Sequence, residues 1–170
     1  MRRVRFSAAV SLDGYIAGPN GESDWIVMDP EIDFAALMGA FDSILMGRKT
    51  YEATRQHGGG GMPGTDAYVF SRTLRQEDCP GVSVSGDLEK TVKGLKTGSG
   101  KDIWLFGGGG LFRSLLELRL VDSVELAVIP VLLGGGLPFL PNLATQMKLT
   151  LKNHRVYPKT GTVSLEYALS

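Results

Sequence analysis

Three short stretches of this chain carry the residue types that bind anions. In the first, Gly107 to Gly110 fall between the apolar, β-prone run 102–106 and a segment where Leu111, Leu115, Leu116 and Leu118 recur at helical spacing. Glycines at such a strand-to-helix corner permit positive φ and let a ligand approach the backbone where a Cβ would stand in the way. The helix that follows turns its free N–H groups and positive dipole end toward that gap, which suits a phosphate or pyrophosphate. Taken alone, the stretch reads equally well as a plain tight turn. It is not a dinucleotide fingerprint of the Rossmann type, because Phe112 stands where the third glycine would be. The second stretch, Gly47-Arg48-Lys49-Thr50, follows the buried run 43–46 and opens another helical pattern; the third, Ser71-Arg72, follows the strand-like run 67–70. Arginine grips phosphate bidentately, lysine adds a point charge, and Thr50 and Ser71 donate hydroxyl bonds. Open α/β sheets bind ligands at the carboxyl ends of their strands. Three such corners in one sheet therefore point to a phosphorylated cofactor or substrate.

The elements needed to hold these corners follow from periodicity. Strands are expected at 4–12, 15–17, 43–46, 67–70, 82–85, 102–106 and 123–131, and helices at 31–41, 88–95 and from Leu111 onward. The helix at 31–41 places Phe34, Leu37, Met38 and Phe41 on one face. Residues 57–64, with four consecutive glycines, read as a mobile loop, and 133–141 as a glycine- and proline-rich loop bordering a substrate pocket or a subunit contact. Runs 148–157 and 162–168 form a terminal antiparallel pair around the turn Lys159-Thr160-Gly161. Strands alternating with helices and ending in a hairpin give an α/β fold, a mostly parallel central sheet with antiparallel C-terminal strands. No linker divides the chain, so residues 1–170 are expected to be one domain.

Composition narrows the function classes. The chain has 170 residues with 18 Lys plus Arg against 18 Asp plus Glu, so neither nucleic acid nor an anionic membrane is an expected partner. Cys79 is the sole cysteine, which excludes an internal disulfide. The apolar stretch behind the basic N-terminus ends at Asp13, too short for a signal peptide or a membrane span, so a cytoplasmic location is expected. His57 and His154 are far apart in sequence and no cysteine pair accompanies them; no metal site is expected. Tyr15 and Trp25 are open to either a stacking role on substrate or a packing role, and Trp104, mid-strand, reads as core.

Taken in order, several motifs resemble the dihydrofolate-reductase-like family, and within it the branch holding the reductase domain of the bifunctional riboflavin-biosynthesis deaminase–reductase. They are Ser11-Leu12-Asp13-Gly14-Tyr15-Ile16-Ala17, Leu45-Met46-Gly47-Arg48-Lys49-Thr50-Tyr51-Glu52, Phe106-Gly107-Gly108-Gly109-Gly110-Leu111, Leu120-Val121-Asp122 and Ile129-Pro130-Val131-Leu132-Leu133-Gly134-Gly135-Gly136. The resemblance spans essentially the whole chain and implies a three-layer reductase fold with NADPH as hydride donor. It places Arg48, Lys49, Ser71 and Arg72 around the adenosine 2′-phosphate. Thr50 and the corner Gly107 to Leu111 would hold the pyrophosphate, with a cis Gly107–Gly108 peptide, and Gly47 and Phe106 would also be cofactor-binding. Backbone groups of Ala9 and Ile16 would take the nicotinamide carboxamide while the loop after Asp13 closes over the ring.

The chemistry implied is hydride transfer to the carbon of a C=N bond, for which the protein supplies orientation and a proton source. By position, Asp33 resembles the pterin-binding carboxylate, a catalytic and substrate-binding acid downstream of Trp25; an acid there also suits a helix N-terminus for the dipole alone. Two departures weaken a folate-specific pocket: Phe112 where folate reductases commonly carry tyrosine, and Ala127 where they carry a threonine. No zinc-binding deaminase signature is present. The expectation is an NADPH-dependent reductase of a small heterocyclic or imine-type substrate, close to a pyrimidine ribosylamine phosphate of riboflavin biosynthesis. Dihydrofolate reduction and a catalytically silent nucleotide-binding protein are the alternatives. Relatives of this layout are often homodimers, and the same is expected here by resemblance.

Overall fold

A computed structural model describes residues 1–58 and 61–170. In chain order the strands are β1 (Val4–Ser11), β2 (Tyr15–Ala17), β3 (Phe41–Gly47), β4 (Asp66–Phe70), β5 (Ser83–Ser85), β6 (Asp102–Gly107), β7 (Ser123–Ile129), β8 (Leu137–Pro138), β9 (Leu149–Tyr157) and β10 (Thr162–Leu169). The helices are α1 (Phe34–Gly39), α2 (Arg48–Gln56), α3 (Leu88–Thr97) and α4 (Gly109–Glu117). Eight strands form one sheet in the order β5-β4-β3-β6-β1-β7-β10-β9. The first six run parallel, and β10 is antiparallel to both β7 and β9. This is the mostly parallel sheet with antiparallel C-terminal strands that the alternation of elements implied.

Alternation along the strands sends side chains to two faces. On one, Val4, Phe6, Leu105 and Ile103 pack under α3 and α4 through Val92, Phe112, Leu115 and Leu116, all buried. On the other, Phe41, Ile44, Met46 and Val69 pack with Tyr51 of α2 and with Trp104. Burying each of these side chains contributes about 1.5–3 kcal/mol, so the core fixes the two helices whose N-termini matter below.

Three details differ from the periodicity reading. The helix expected at 31–41 is only α1: the Asp33 carboxylate accepts from the Ala36 amide at 2.9 Å and starts it. Phe41 has left the helix, opens β3 opposite Asp102, and stacks on Trp104 with ring centroids 5.9 Å apart. Its apolar character, read as part of a helix face, belongs to the sheet core. Within the expected 133–141 loop, β8 pairs with β2 to make a two-stranded ribbon. Residues 59 and 60 of the expected glycine loop lie outside the described residues, so its mobility is not addressed. Cys79 is fully buried.

Candidate active site

The corners at the ends of β3 and β6 meet. A Cβ on Gly47 would stand 3.9 Å from the Gly107 carbonyl oxygen and 4.0 Å from Leu111 Cβ, and one on Gly108 would stand 3.5 Å from Thr50 Oγ1. Each corner opens a nine-residue helix, so α2 and α4 aim their N-termini at one gap. Phe112 N closes the first intrahelical bond of α4 on the Gly108 carbonyl, which leaves the amides of Gly109, Gly110 and Leu111 for a ligand. The four glycines have separate reasons. Gly107 adopts φ +131°, a conformation that L side chains rarely take, and its peptide to Gly108 is cis. Gly109 is set by packing: a Cβ would lie 2.7 Å from both the Pro138 carbonyl oxygen and Pro141 Cδ, and 2.9 Å from the Phe139 carbonyl oxygen. Gly110 faces open space. A diphosphate can therefore reach the backbone of this corner, and the residues present fit a dinucleotide.

Two cavities flank the gap. The smaller, about 330 Å³, is lined by Gly47, Ser71, Arg72, Gly86, Gly110 and Leu111 among others. Arg48 lies beside it, donating to Thr73 Oγ1 at 3.3 Å, and that hydroxyl sits 3.3 Å from Ser71 Oγ. Ser71 Oγ also accepts from the amides of Thr73 and Leu74 at 3.1 and 3.0 Å, a turn that fixes the loop after β4. Thr73 was missed in the sequence; the Ser-x-Thr spacing was its only signal. The larger cleft, about 940 Å³, takes in Ala9, Ile16, Thr50, Phe106 and Gly108. Lys49 lines this cleft rather than joining Ser71 and Arg72, because consecutive helical residues point about 100° apart.

The wall beside Ile16 is braced. The Asp13 carboxylate accepts from Ser11 Oγ at 2.7 Å, Gly134 N at 2.8 Å and Leu133 N at 3.1 Å, while Phe139 N donates to the Gly14 carbonyl at 3.1 Å. The Ser11 hydroxyl, with help from these amides, holds the Asp13 carboxyl below its usual value, outweighing the opposing effect of desolvation. Gly136 backs onto the Ala17 carbonyl, and the same 133–141 segment presses on Gly109 through Pro138 and Phe139. One crossover thus touches both the glycine corner and the loop carrying Ile16.

The floor of the cleft is the sheet face shared by Ser7, Ala9, Trp104, Phe106, Glu125 and Ala127. Trp104 Nε1 donates to the Ser7 carbonyl at 3.1 Å, so the residue read as core is core on one side and cleft lining on the other. Glu125 receives Arg5 through Nε and Nη2, both at 2.7 Å, and its Oε1 accepts from Ser123 Oγ at 2.8 Å. The Arg5 guanidinium also lies 4.7 Å from the Phe41 ring centroid, and Glu125 holds it more firmly protonated than usual, outweighing burial. The opposite wall is apolar, with Ile26, Met28, Ile32, Phe34, Leu37 and Met38.

The structure does not bring Asp33 or Trp25 to this cleft. Asp33 is exposed, its carboxylate engaged as the cap of α1. Trp25 is half-buried and donates from Nε1 to the Glu22 carbonyl at 3.0 Å, leaving Ser23, Ile26 and Met28 of that segment as lining residues. Phe112 has a physical reason: it is 1% exposed and stacks on Phe6 at 3.8 Å and 2° between planes, where a tyrosine hydroxyl would need a buried partner. Ala127 lies on the floor and brings no hydroxyl. Glu125, Asn153, Arg155 and Glu166 line the cleft and were not singled out from sequence; nothing local marks them, and only the pairing of β7, β10 and β9 brings them together. Among the described residues no group of three His, Cys, Asp or Glu is placed to hold a metal ion, and no helix is long and apolar enough to cross a membrane.

Comparison with known proteins agrees with this geometry. The uncharacterized Bacillus subtilis (strain 168) protein YyaP is 35% identical over 98% of this chain and 94% of its own length. A crystal structure from Shewanella sp. PV-4, assigned provisionally to riboflavin biosynthesis, superposes with TM-score 0.83 at 26% identity, covering 100% of this chain and 99% of that one. Dihydrofolate reductase from Enterococcus faecalis superposes with TM-score 0.72 at 16% identity over 99% and 96% of the two chains, which shows a common fold. The profile of the RibD C-terminal domain matches residues 2–163, and with the dihydrofolate-reductase-like sheet described above it makes this chain a member of the RibD C-terminal domain family.

Proposed function

We propose that the chain is an NADPH-dependent reductase of a small heterocyclic or imine-type substrate, resembling the 5-amino-6-(5-phosphoribosylamino)uracil reductase step of riboflavin biosynthesis. The observation that carries this reading is the meeting of Gly47–Thr50 with Gly107–Leu111 at one gap between two hollows. The amides of Gly109, Gly110 and Leu111 with Thr50 would hold the diphosphate, and Arg48, Ser71 and Arg72 the 2′-phosphate end. Ala9, Ile16 and Phe106 would border the nicotinamide. When bound, NADPH supplies a hydride for the carbon of a C=N bond.

The protein's part is orientation and exclusion of water. Phe106 and the apolar wall of Ile32, Phe34, Leu37 and Met38 would border the reacting centre with apolar surface, and water displaced from it by a bound ligand strengthens any electrostatic contact made there. The Asp13 brace holds Ile16 against the same space. Protonation of the substrate nitrogen makes its carbon electrophilic, and the group that holds the protonated form is taken up below. Asp33, the acid that the family resemblance indicates, spends one carboxylate oxygen on its capping bond.

NADPH at about 100 times its dissociation constant is expected to stabilise the protein by about 2.7 kcal/mol, read as a rise in melting temperature. Loss of NADPH absorbance with a ribosylaminopyrimidine phosphate is the expected activity. Robust turnover of dihydrofolate with antifolate sensitivity would instead favour a folate reductase, and NADPH binding without oxidation of any candidate a silent nucleotide binder. We further propose one reductase unit over residues 1–170, located in the cytoplasm and acting as a homodimer. The dimer is supported by the edge strand β9, where Leu149, Leu151 and Val156 are exposed, and sedimentation velocity tests it.

A further inference from the structure

We infer that Glu166 is the residue by which this cleft recognises its substrate, taking the N–H edge of a planar nitrogen heterocycle or a protonated C=N group, with Asn153 beside it. The inference rests on the reductase reading above and names the contact that would select the substrate.

The strand register carries it. Ser7 of β1 lies opposite Glu125 of β7, Glu125 opposite Glu166 of β10, and Glu166 opposite Asn153 of β9, so these residues cross four strands in one line on one face. All four line the larger cleft. Opposed residues of an antiparallel pair have Cβ atoms roughly 4.5–5.5 Å apart, close enough for one flat ligand to touch several of them.

The row is not equally satisfied. The Ser7 carbonyl takes the Trp104 indole N–H, and Glu125 takes Arg5 twice and Ser123 once. Arg155 of β9, which lines the cleft, pairs with Glu31 at 3.2 Å and lies over the Tyr157 ring at 4.6 Å. Among the described residues the half-buried Glu166 carboxylate makes no hydrogen bond or ion pair, and neither does the exposed Asn153 side chain. The floor therefore holds two opposed carboxylates, of which Arg5 answers only Glu125, while Glu166 has no cation bound to it among the described residues. A second positive or N–H-bearing group completes the arrangement, and the open side from which it can arrive is the cleft. The chain also bulges at this point: Glu166 pairs with Asn153 but Tyr167 pairs with Leu151, so Lys152 is the extra residue. Bulges of this kind re-aim side chains beside binding sites. Across the cleft, Phe34, Leu37 and Met38 offer the apolar surface that a planar ring requires.

The test uses the full chain and two ligands of one shape, 5-benzyl-2,4-diaminopyrimidine, which presents a protonatable N–H edge, and its 2,4-dimethoxy counterpart, which does not. Calorimetric titration is made into the NADP⁺-saturated and the free protein. Wild type is expected to prefer the diamino ligand by roughly tenfold to a hundredfold, the range for a hydrogen bond to a charged group. Glu166→Gln is expected to bring the two affinities to within about twofold, with NADP⁺ affinity and melting temperature unchanged. Glu166→Asp, one methylene shorter, keeps a reduced preference and serves if Glu166→Gln does not fold. Equal preference in Glu166→Gln and wild type overturns the inference, as does a wild type that does not discriminate or binds neither ligand. Failure of wild type to bind NADP⁺ while the diamino preference persists overturns the reductase reading and leaves the Glu166 contact standing.

Discussion

The two ends of the cleft are built by different means. At the proposed cofactor rim, the diphosphate would rest on backbone: free amides of α4, glycines that keep Cβ atoms out of the way, and a hydroxyl in the first turn of α2. At the substrate floor, recognition would rest on side chains from β1, β7, β10 and β9, brought into line only by strand register. A rim made of backbone depends on local sequence and tolerates little change in shape. A floor made of side chains leaves the scaffold untouched when one residue changes, so specificity can be altered there while cofactor binding stays as it is.

Substitutions can break this contrast, beginning with the largest effect. Phe112→Ala removes the ring stacked on Phe6 beneath the rim and is expected to cost about 3–5 kcal/mol in urea unfolding; a loss below about 1 kcal/mol would mean that α4 is not anchored as described. Arg72→Ala leaves stability unchanged and weakens NADPH relative to NADH by about tenfold to a hundredfold, the range for a lost charged hydrogen bond. An unchanged NADPH/NADH affinity ratio takes Arg72 away from the 2′-phosphate, and the same measurement on Arg48→Ala decides its share. Gly109→Ala drives a methyl into the Pro138 and Phe139 carbonyls and is expected to cost about 1–3 kcal/mol, whereas Gly110→Ala, facing open space, affects NADPH affinity more than melting temperature. Asp33→Ala loses the α1 cap, about 0.5–2 kcal/mol, while Asp33→Asn, which still caps, leaves both stability and turnover near wild type. Loss of turnover in Asp33→Asn alone would restore this residue as the acid.

The smallest expected effect concerns pH. The Asp13 carboxyl is depressed in the folded state by Ser11 and the 133–134 amides, so its contribution is complete above the usual carboxylate pKa of about 3.9. It is lost as pH falls through the lower folded value. Melting temperature should therefore decline across that acid window, and less steeply in Asp13→Asn. An identical slope in the two proteins would show that the brace is not held by this carboxylate.

What was legible in the sequence follows the same division. The corners at Gly47 and Gly107 were readable because a strand, a glycine and a helical pattern are contiguous, and their meeting follows from parallel β3 and β6 lying side by side. The boundary of α1 was misread because Phe41 continues the helical spacing of Phe34, Leu37 and Met38 while its burial belongs to the sheet. Asp33 matched a family position, but the carboxylate that suits a helix cap by type is used as one. Glu125, Glu166 and Asn153 had no local pattern to announce them; only the pairing of β7 with β10 and of β10 with β9 places them together. Trp104 was half legible, since a buried strand residue can also line a cavity.

The central claim is that one dinucleotide spans the rim and presents its reactive ring to the floor. A crystal structure of the full chain with NADP⁺ tests it most directly. The account predicts the diphosphate on the amides of Gly109 to Leu111 beside Thr50. It also predicts the nicotinamide between Ile16 and Phe106, with C4 turned toward the floor at Ala127 and Glu166. A diphosphate bound elsewhere, or a ring whose C4 faces away from that floor, would contradict it.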